Sequence, residues 1–324
     1  MKHLLTKYIV KMSAVLLLVA IGETAWANDE YDVEDYPAIQ PVIEAKNLKL
    51  PELWEKNLMP QYRLAVAREV VVAARKMAFN QLVSGVADIK LGDDMTVGSL
   101  LARSDKPDVK PEFFVRGVRE NGIIYRQDSL IVEITMEVSR KSILGSIKCW
   151  LEVHLSSENQ KYVIKLRDYI ESLKGGELRA FGVAAADARY VRPEYAAVQQ
   201  KAASLVANVP TWVADVVHVR GQGEIKRMTA NQQQARDDAF DEATNNARKA
   251  MIARVLELKE SGDANVGKFI ESVPELTAGL AEIIKSAKIT KGTEVIIGDD
   301  AEVTVSLDLK KVWNMLLHYR LTGK

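Results

Sequence analysis

AARKMAFNQL occupies residues 73–82 and NARKAMIARV occupies residues 246–255. A shared Ala-Arg-Lys is expected by chance in a chain of 324 residues, so the neighbours decide what the likeness means. Around the first stretch, Leu64, Ala67, Val71, Ala74, Ala78 and Leu82 recur every three or four positions, which marks one face of a helix. Around the second, Ala235, Ala239, Ala243, Ala247, Ala250 and Met251 do the same. Both stripes are made of small side chains, which let a helix lie close to a sheet or to another helix. Matching the two tripeptides pairs Ala74 with Ala247, a spacing of 173.

Working outward, Val97-Gly98-Ser99-Leu100-Leu101 answers Val266-Gly267-Lys268-Phe269-Ile270, at a spacing of 169. Both read as a one-turn helix or compact loop capping a core. FFVRGVRENGIIYR (113–126) and EIIKSAKITKGTEVII (282–297) carry strand signals, each followed by a polar turn, Gln127-Asp128-Ser129 and Gly298-Asp299-Asp300. Strict alternation comes next. Val132, Ile134, Met136 and Val138 form an inner row, with Glu133, Thr135 and Glu137 on the other side. Val303, Val305, Leu307 and Leu309 repeat the inner row, with Thr304, Ser306 and Asp308 outside. Alternation of period two predicts strands with one buried and one wet face. Ile143, Ile147 and Trp150 then answer Val312, Leu316 and Tyr319 in a following helix. The order helix, cap, hairpin, helix therefore occurs twice, the signature of a duplicated module.

Between the copies, Val163, Leu166, Ile170 and Leu173 predict a helix ended by Gly175-Gly176. ELRAFGVAA reads as a strand, Pro193 to Pro210 bracket another helix, and Val213–Arg220 reads as a strand leading to the second long helix. No equally clear strand precedes the first long helix. The expected organisation is a leader over 1–27, an acidic arm over 28–60, a first module over 61–157, a connecting α/β segment over 158–210 and a second module over 211–324. The expected fold class is α+β: two related modules, each a long Ala-rich helix on a small antiparallel sheet.

The chain opens with Lys2, Lys7 and Lys11, an apolar run from Ala14 to Ile21, and Ala25-Trp26-Ala27. These are the three parts of a cleavable signal peptide, with cleavage after Ala27 and a periplasmic destination. The run is too short for a membrane span of roughly 20 residues. Asn28 stands where a lipoprotein carries its lipidated cysteine, so no lipid anchor is expected, and membrane association would be peripheral. The 44 basic and 44 acidic residues become 41 and 43 once 1–27 are removed, which offers nucleic acid no basic footprint. Cys149 is the single cysteine, so no internal disulfide forms; a buried thiol is the expected state.

QYRLAVAREVVVAARKMAFNQLVSGV, with FFVRGV and LIVEITMEV after it, resembles the Helicobacter twenty-kilodalton lipoprotein family and the amino-terminal region of the flagellar assembly protein T. The matching features are the alanine helix at Ala73–Leu82, Gly85-Val86, the Phe114-Val115-Arg116-Gly117 step read as a strand, and Val132–Val138. The second copy keeps VRGQG at Val219–Gly223 and the helix Ala235–Val255, but has Ile283-Ile284-Lys285-Ser286 at the glycine step. The resemblance implies a small module of the bacterial envelope, often outer-membrane-associated, without a catalytic centre. It does not imply flagella.

Motifs of chemistry are sparse. Gly221-Gln222-Gly223 lacks the third glycine of a dinucleotide fingerprint, Lys226 standing there, and reads as a strand end where the backbone bends or packs closely. Gly267-Lys268 is followed by Phe269, not by the hydroxyl residue of a phosphate loop. His154, His218 and His318 are scattered, and none has a metal-ligand spacing to its neighbours. Asp237, Asp238, Asp241 and Glu242 offer carboxylates for a cation, but acids near a helix start are favoured by its dipole. Asp299-Asp300 fits a hairpin turn. No catalytic, cofactor-binding or metal-binding residue is nominated. The expected role is a non-enzymatic envelope structural or assembly protein that binds an envelope protein, with contacts between identical subunits as a further expectation. A peripheral membrane or cell-wall binding module, or a hydrolase with a dispersed site, are the alternatives.

Overall fold

The computed structural model describes residues 50–92, 95–173, 176–226, 231–261 and 264–323. The expected leader, the arm up to residue 49 and Gly175 lie outside the described residues. The fold is α+β, with long helices on small antiparallel sheets.

After a short helix α1 (Glu52–Asn57), the first module begins with α2 (Arg63–Ala87). A small hairpin of β1 (Lys90–Gly92) and β2 (Met95–Thr96) leads into α3 (Val97–Leu101). Thr96 starts α3 because its side chain accepts from the Ser99 amide while Ser99 Oγ accepts from the Thr96 amide, a reciprocal cap. Strands β3 (Arg119–Tyr125) and β4 (Ile131–Ser139) follow, then α4 (Arg140–His154) and α5 (Gln160–Ser172). Strand β5 (Glu177–Ala185) returns to pair antiparallel with β4, giving the order β3-β4-β5. Helix α6 (Pro193–Val206), with Pro193 in its first turn, and a 3-10 turn at Thr211–Ala214 lead to β6 (Val216–Glu224).

The second module repeats the first. Helix α7 is Gln232–Leu256, the small hairpin is β7 (Lys259–Ser261) and β8 (Ala264–Asn265), and α8 is Val266–Ser272. Helix α9 (Glu275–Lys285), strands β9 (Lys288–Ile289), β10 (Val295–Ile297) and β11 (Asp300–Asp308), and helix α10 (Lys310–Thr322) complete it. The sheet order is β10-β11-β6, with β9 also on β11.

The long helix, the first strand of the small hairpin and the central strand repeat with bounds 169 apart: Arg63–Ala87 against Gln232–Leu256, Lys90–Gly92 against Lys259–Ser261, and Ile131–Ser139 against Asp300–Asp308. This corrects the spacing of 173 for the long helices. Ala74 corresponds to Ala243 and Ala78 to Ala247, so the Ala-Arg-Lys tripeptides sit one helical turn out of step. An alanine every fourth residue looks the same after a slip of four, and only packing against the sheet reveals the true register. That packing is unambiguous. Gly182 on β5 pairs with Ile134, and Gly221 on β6 pairs with Val303, its counterpart at 169. A methyl group on Gly182 would overlap the Ala74 carbonyl and Ala78; one on Gly221 would overlap the Ala243 carbonyl and Ala247. The helix backbone thus rests directly on a glycine in both copies, and Gly221-Gln222-Gly223 packs closely against it near the end of the strand.

The third strand reaches its sheet by different routes. In the second module β6 precedes the long helix; in the first, β5 comes after α5. The strand missing ahead of the first long helix is supplied from within residues 158–210. The two modules are circular permutations of one arrangement.

Two strand readings change. Residues 275–285 are helical, and Phe113-Phe114 end a 3-10 turn, so the Phe114–Gly117 step is no strand. Gly117 adopts φ +70°, whereas Ser286 at the same place ends α9 with right-handed backbone. The wet row of β4 is also not wet throughout: Glu133 is 1% exposed. Ile131, Phe181 and Val183 on that face join a core with Ala202, Val206, Trp212, Val213, Leu309, Val312, Trp313 and Leu317. Helices α6 and α10 and the 211–214 turn therefore cover the side of the first sheet opposite α2. A single strand's alternation cannot foresee a cover that comes from a distant part of the chain.

Candidate functional site

The covered face of the first sheet holds a network of charges. Arg126, just after β3, donates through Nε and Nη2 to Asp128 (2.8 and 2.7 Å) and through Nη1 to Glu133 Oε1 (2.9 Å) and Asn314 Oδ1 (3.1 Å). Lys310 Nζ lies 3.0 Å from the other oxygen of Glu133 and 4.8 Å from the centre of the Phe181 ring. His318 Nδ1 is 2.9 Å from Asp128 Oδ2, and Ser129 donates to Asp128. Asn314, Lys310 and His318 all come from α10, so these bonds tie the modules together. Burial works against the Arg126 charge, but its hydrogen bonds to Asp128 and Glu133 outweigh it and raise its pKa. The Arg126 guanidinium, ahead of His318 and Ser129, holds the Asp128 carboxyl well below the usual carboxylate range against the effect of burial. Every carboxylate here is matched by a cation, so the network is structural.

Glu302, the counterpart of Glu133, is also buried, at 4% exposure. It accepts from Gln222 (2.7 Å) and pairs with Arg220, both on its own sheet. The repeated glutamate serves the joint between modules in one copy and the neighbouring strand in the other.

A cavity of about 780 Å³ opens where the modules meet. One wall is a stripe of α2 that includes Lys76, Met77, Gln81 and Gly85; β5 contributes Leu178 and Arg179; Thr211, Ala214 and Asp215 close the far side. The volume falls within the roughly 300–1,000 Å³ of ligand-binding clefts. Gln81 Oε1 accepts from the Phe181 amide at 3.1 Å. Asp215 keeps an exposed surface, yet nearby protein withdraws enough water from its carboxyl to raise its pKa, with the Arg140 charge pulling the other way. Arg179 is committed to Glu137 (2.6 Å) and Asp308 (3.5 Å). Lys76 makes no ion pair among the described residues.

The residues weighed from sequence lie elsewhere. His154 is bonded to Asp105 (2.9 Å) and stacks on Trp150 at 4.5 Å; His218 sits exposed on β6; His318 belongs to the charge network. His154 and His318 are not counterparts, since Cys149 occupies the place of His318. Asp237 and Asp238 accept from Gln233 and Gln234, one turn earlier on the exposed side of α7. Among the described residues no group of three or more His, Cys, Asp or Glu is placed to hold a metal ion. No described helix is long and apolar enough to cross a membrane. Cys149 is exposed on α4, which corrects the expected buried thiol. The cavity residues carry no motif. Their signal appears only when the copies are aligned at 169, which sets Met77 against Asn246 and Gly85 against Arg254.

Comparison with protein-family models, with curated proteins and with solved structures gives no match.

Proposed function

We propose that the protein is a non-enzymatic adaptor of the bacterial envelope, which binds another envelope protein at the junction of its modules. The observation that carries this reading is the 780 Å³ cavity between α2, β5 and the 211–215 segment. It opens at a joint that the Arg126–Asp128–Glu133–Lys310 network holds in one relation. A cleft between rigid modules is a common place for recognition. The signal-peptide pattern over residues 1–27 and the resemblance to an envelope lipoprotein family support the location. A photo-crosslinking residue placed at Asn80, on the cavity wall, tests the reading in intact cells. A reproducible adduct with an envelope protein is expected. Absence of any adduct, with the protein monomeric by sedimentation, would discard it.

A second reading, peripheral attachment to a membrane, has one observation in its favour. Arg103, Lys161 and Lys165 surround the Tyr162 ring at 5.8, 5.1 and 5.8 Å, and Ile164 on the same helix is 51% exposed. Cosedimentation with anionic vesicles at low and high salt separates the two readings.

A further inference from the structure

The two modules cap one sheet edge at different points. Because the Phe181 amide donates to Gln81, the Phe181–Thr135 pair is a non-hydrogen-bonded pair of the antiparallel ladder. Arg179 and Val183, two residues either side, therefore also point their backbone N–H and C=O away from β4. Their counterparts on β6 are His218 and Gln222, which pair with Ser306 and Glu302 just as Arg179 and Val183 pair with Glu137 and Glu133. On β6 these outward carbonyls are capped from the long helix: Arg254 donates to His218 O (3.1 Å) and Asn246 to Gln222 O (2.9 Å). On α2 the equivalent positions are Gly85 and Met77, which have no donor to offer. The edge is capped at both of these carbonyls in one copy; in the other its Leu178–Arg179 end opens onto the cavity, while Phe181 and Val183 are buried.

From this we infer that an extended segment of a partner protein adds to β5 as a further strand and fills the cavity. A free edge beside a groove is the site type for strand addition: main-chain bonds give affinity and alternate side chains give selectivity. The Gln81 side-chain amide already meets the Phe181 N–H as an incoming peptide carbonyl would, and an added strand displaces it. Charge sets the occupant's polarity. Lys76 and Asp88 lie at opposite ends of the groove, roughly 18 Å apart at 1.5 Å per helical residue. The segment therefore carries a carboxylate over Lys76 and a cationic side chain towards Asp88 and Asp215. This rests on the protein-binding reading and names the kind of partner it takes.

Random 12-residue peptides displayed on phage, selected against the purified full chain, provide the probe. Selected peptides are expected to carry an acid near one end and a base near the other. Bound synthetic copies should slow hydrogen exchange at the Arg179 amide and lose binding when N-methylated at alternate residues. Gly85→Arg restores the cap the second module uses and should weaken binding at least tenfold in a protein that still folds. Should that variant unfold, Lys76→Glu serves in its place, and it should reverse the charge selected at that end. No selected peptide, protection of β6 or β10 instead of β5, or undiminished binding by a folded Gly85→Arg variant would overturn the inference. Crosslinks from envelope partners to another surface would remove this site while leaving the adaptor reading standing.

Discussion

Glu133 and Lys310, 177 positions apart, meet at 3.0 Å across the joint between the modules, and Glu133 is buried to 1% exposure. With Arg126 on its other oxygen, Glu133 is, like Asp128, a carboxylate that both modules share. Glu133→Ala leaves two half-buried cations short of a partner, and a loss of about 1.5–3 kcal/mol, the range for hydrogen bonds to charged groups, is expected by urea denaturation. Lys310→Met should cost less, because Arg126 remains on Glu133. The reverse ranking would mean that the network does not hold the joint.

The glycines under the long helices make a sharper test of the 169 alignment. Gly182→Ala and Gly221→Ala each drive a methyl group into the helix backbone, and each should destabilise by about 1–3 kcal/mol or more. Gly145, inside α4, has nothing within 4 Å of a built methyl. Gly145→Ala should therefore stabilise by about 0.5–1 kcal/mol, since alanine suits a helix interior better. Thermal melts of the three variants read all three signs.

Asp128 predicts how the protein responds to acid. Its folded pKa lies below the ordinary value of 3.8. Such a group adds stability that is complete above the unfolded value and fades as pH falls through the folded one. Asp128→Asn should lower stability at pH 7 by about 1.5–3 kcal/mol, the range for a hydrogen bond to a charged group. The gap between the two proteins should shrink steadily below about pH 4, near the unfolded pKa. A gap that stays constant down to pH 2 would contradict the role given to Arg126.

Cys149 is expected to react with maleimide in the folded protein, at one equivalent per chain, because its thiol lies on the exposed side of α4. Cys149→Ser should change stability by no more than about 0.5 kcal/mol, as surface substitutions usually do. Labelling that requires denaturant would count against the exposed placement.

Much of this was legible in the residues. The alternation in Ile131–Ser139 and Asp300–Asp308, the span of β5 and the start of α6 at Pro193 all follow from local pattern. The slip of four in the long helices was not legible, because an alanine stripe carries no mark of its own register. Glu282 to Lys285 read as strand because Ile283-Ile284 is β-branched, yet burial of Leu276, Leu280 and Ile284 on one side makes α9 a helix. The cavity was invisible for a related reason. Gly85 matters only as the place where Arg254 stands in the other copy.

The sequence by itself determined that the chain contains one module twice, since periods of two and of three to four are local properties of neighbouring residues. Only the tertiary structure decided how the copies differ. β5 enters its sheet after the long helix and β6 before it; Glu133 is covered by the second module; the Leu178–Arg179 end of β5 opens onto the cavity while the matching carbonyls of β6 are capped. Each of these depends on contacts between residues tens to hundreds of positions apart. Such contacts are set by which surfaces remain to be covered once the local elements have formed, and no short window of sequence contains that information.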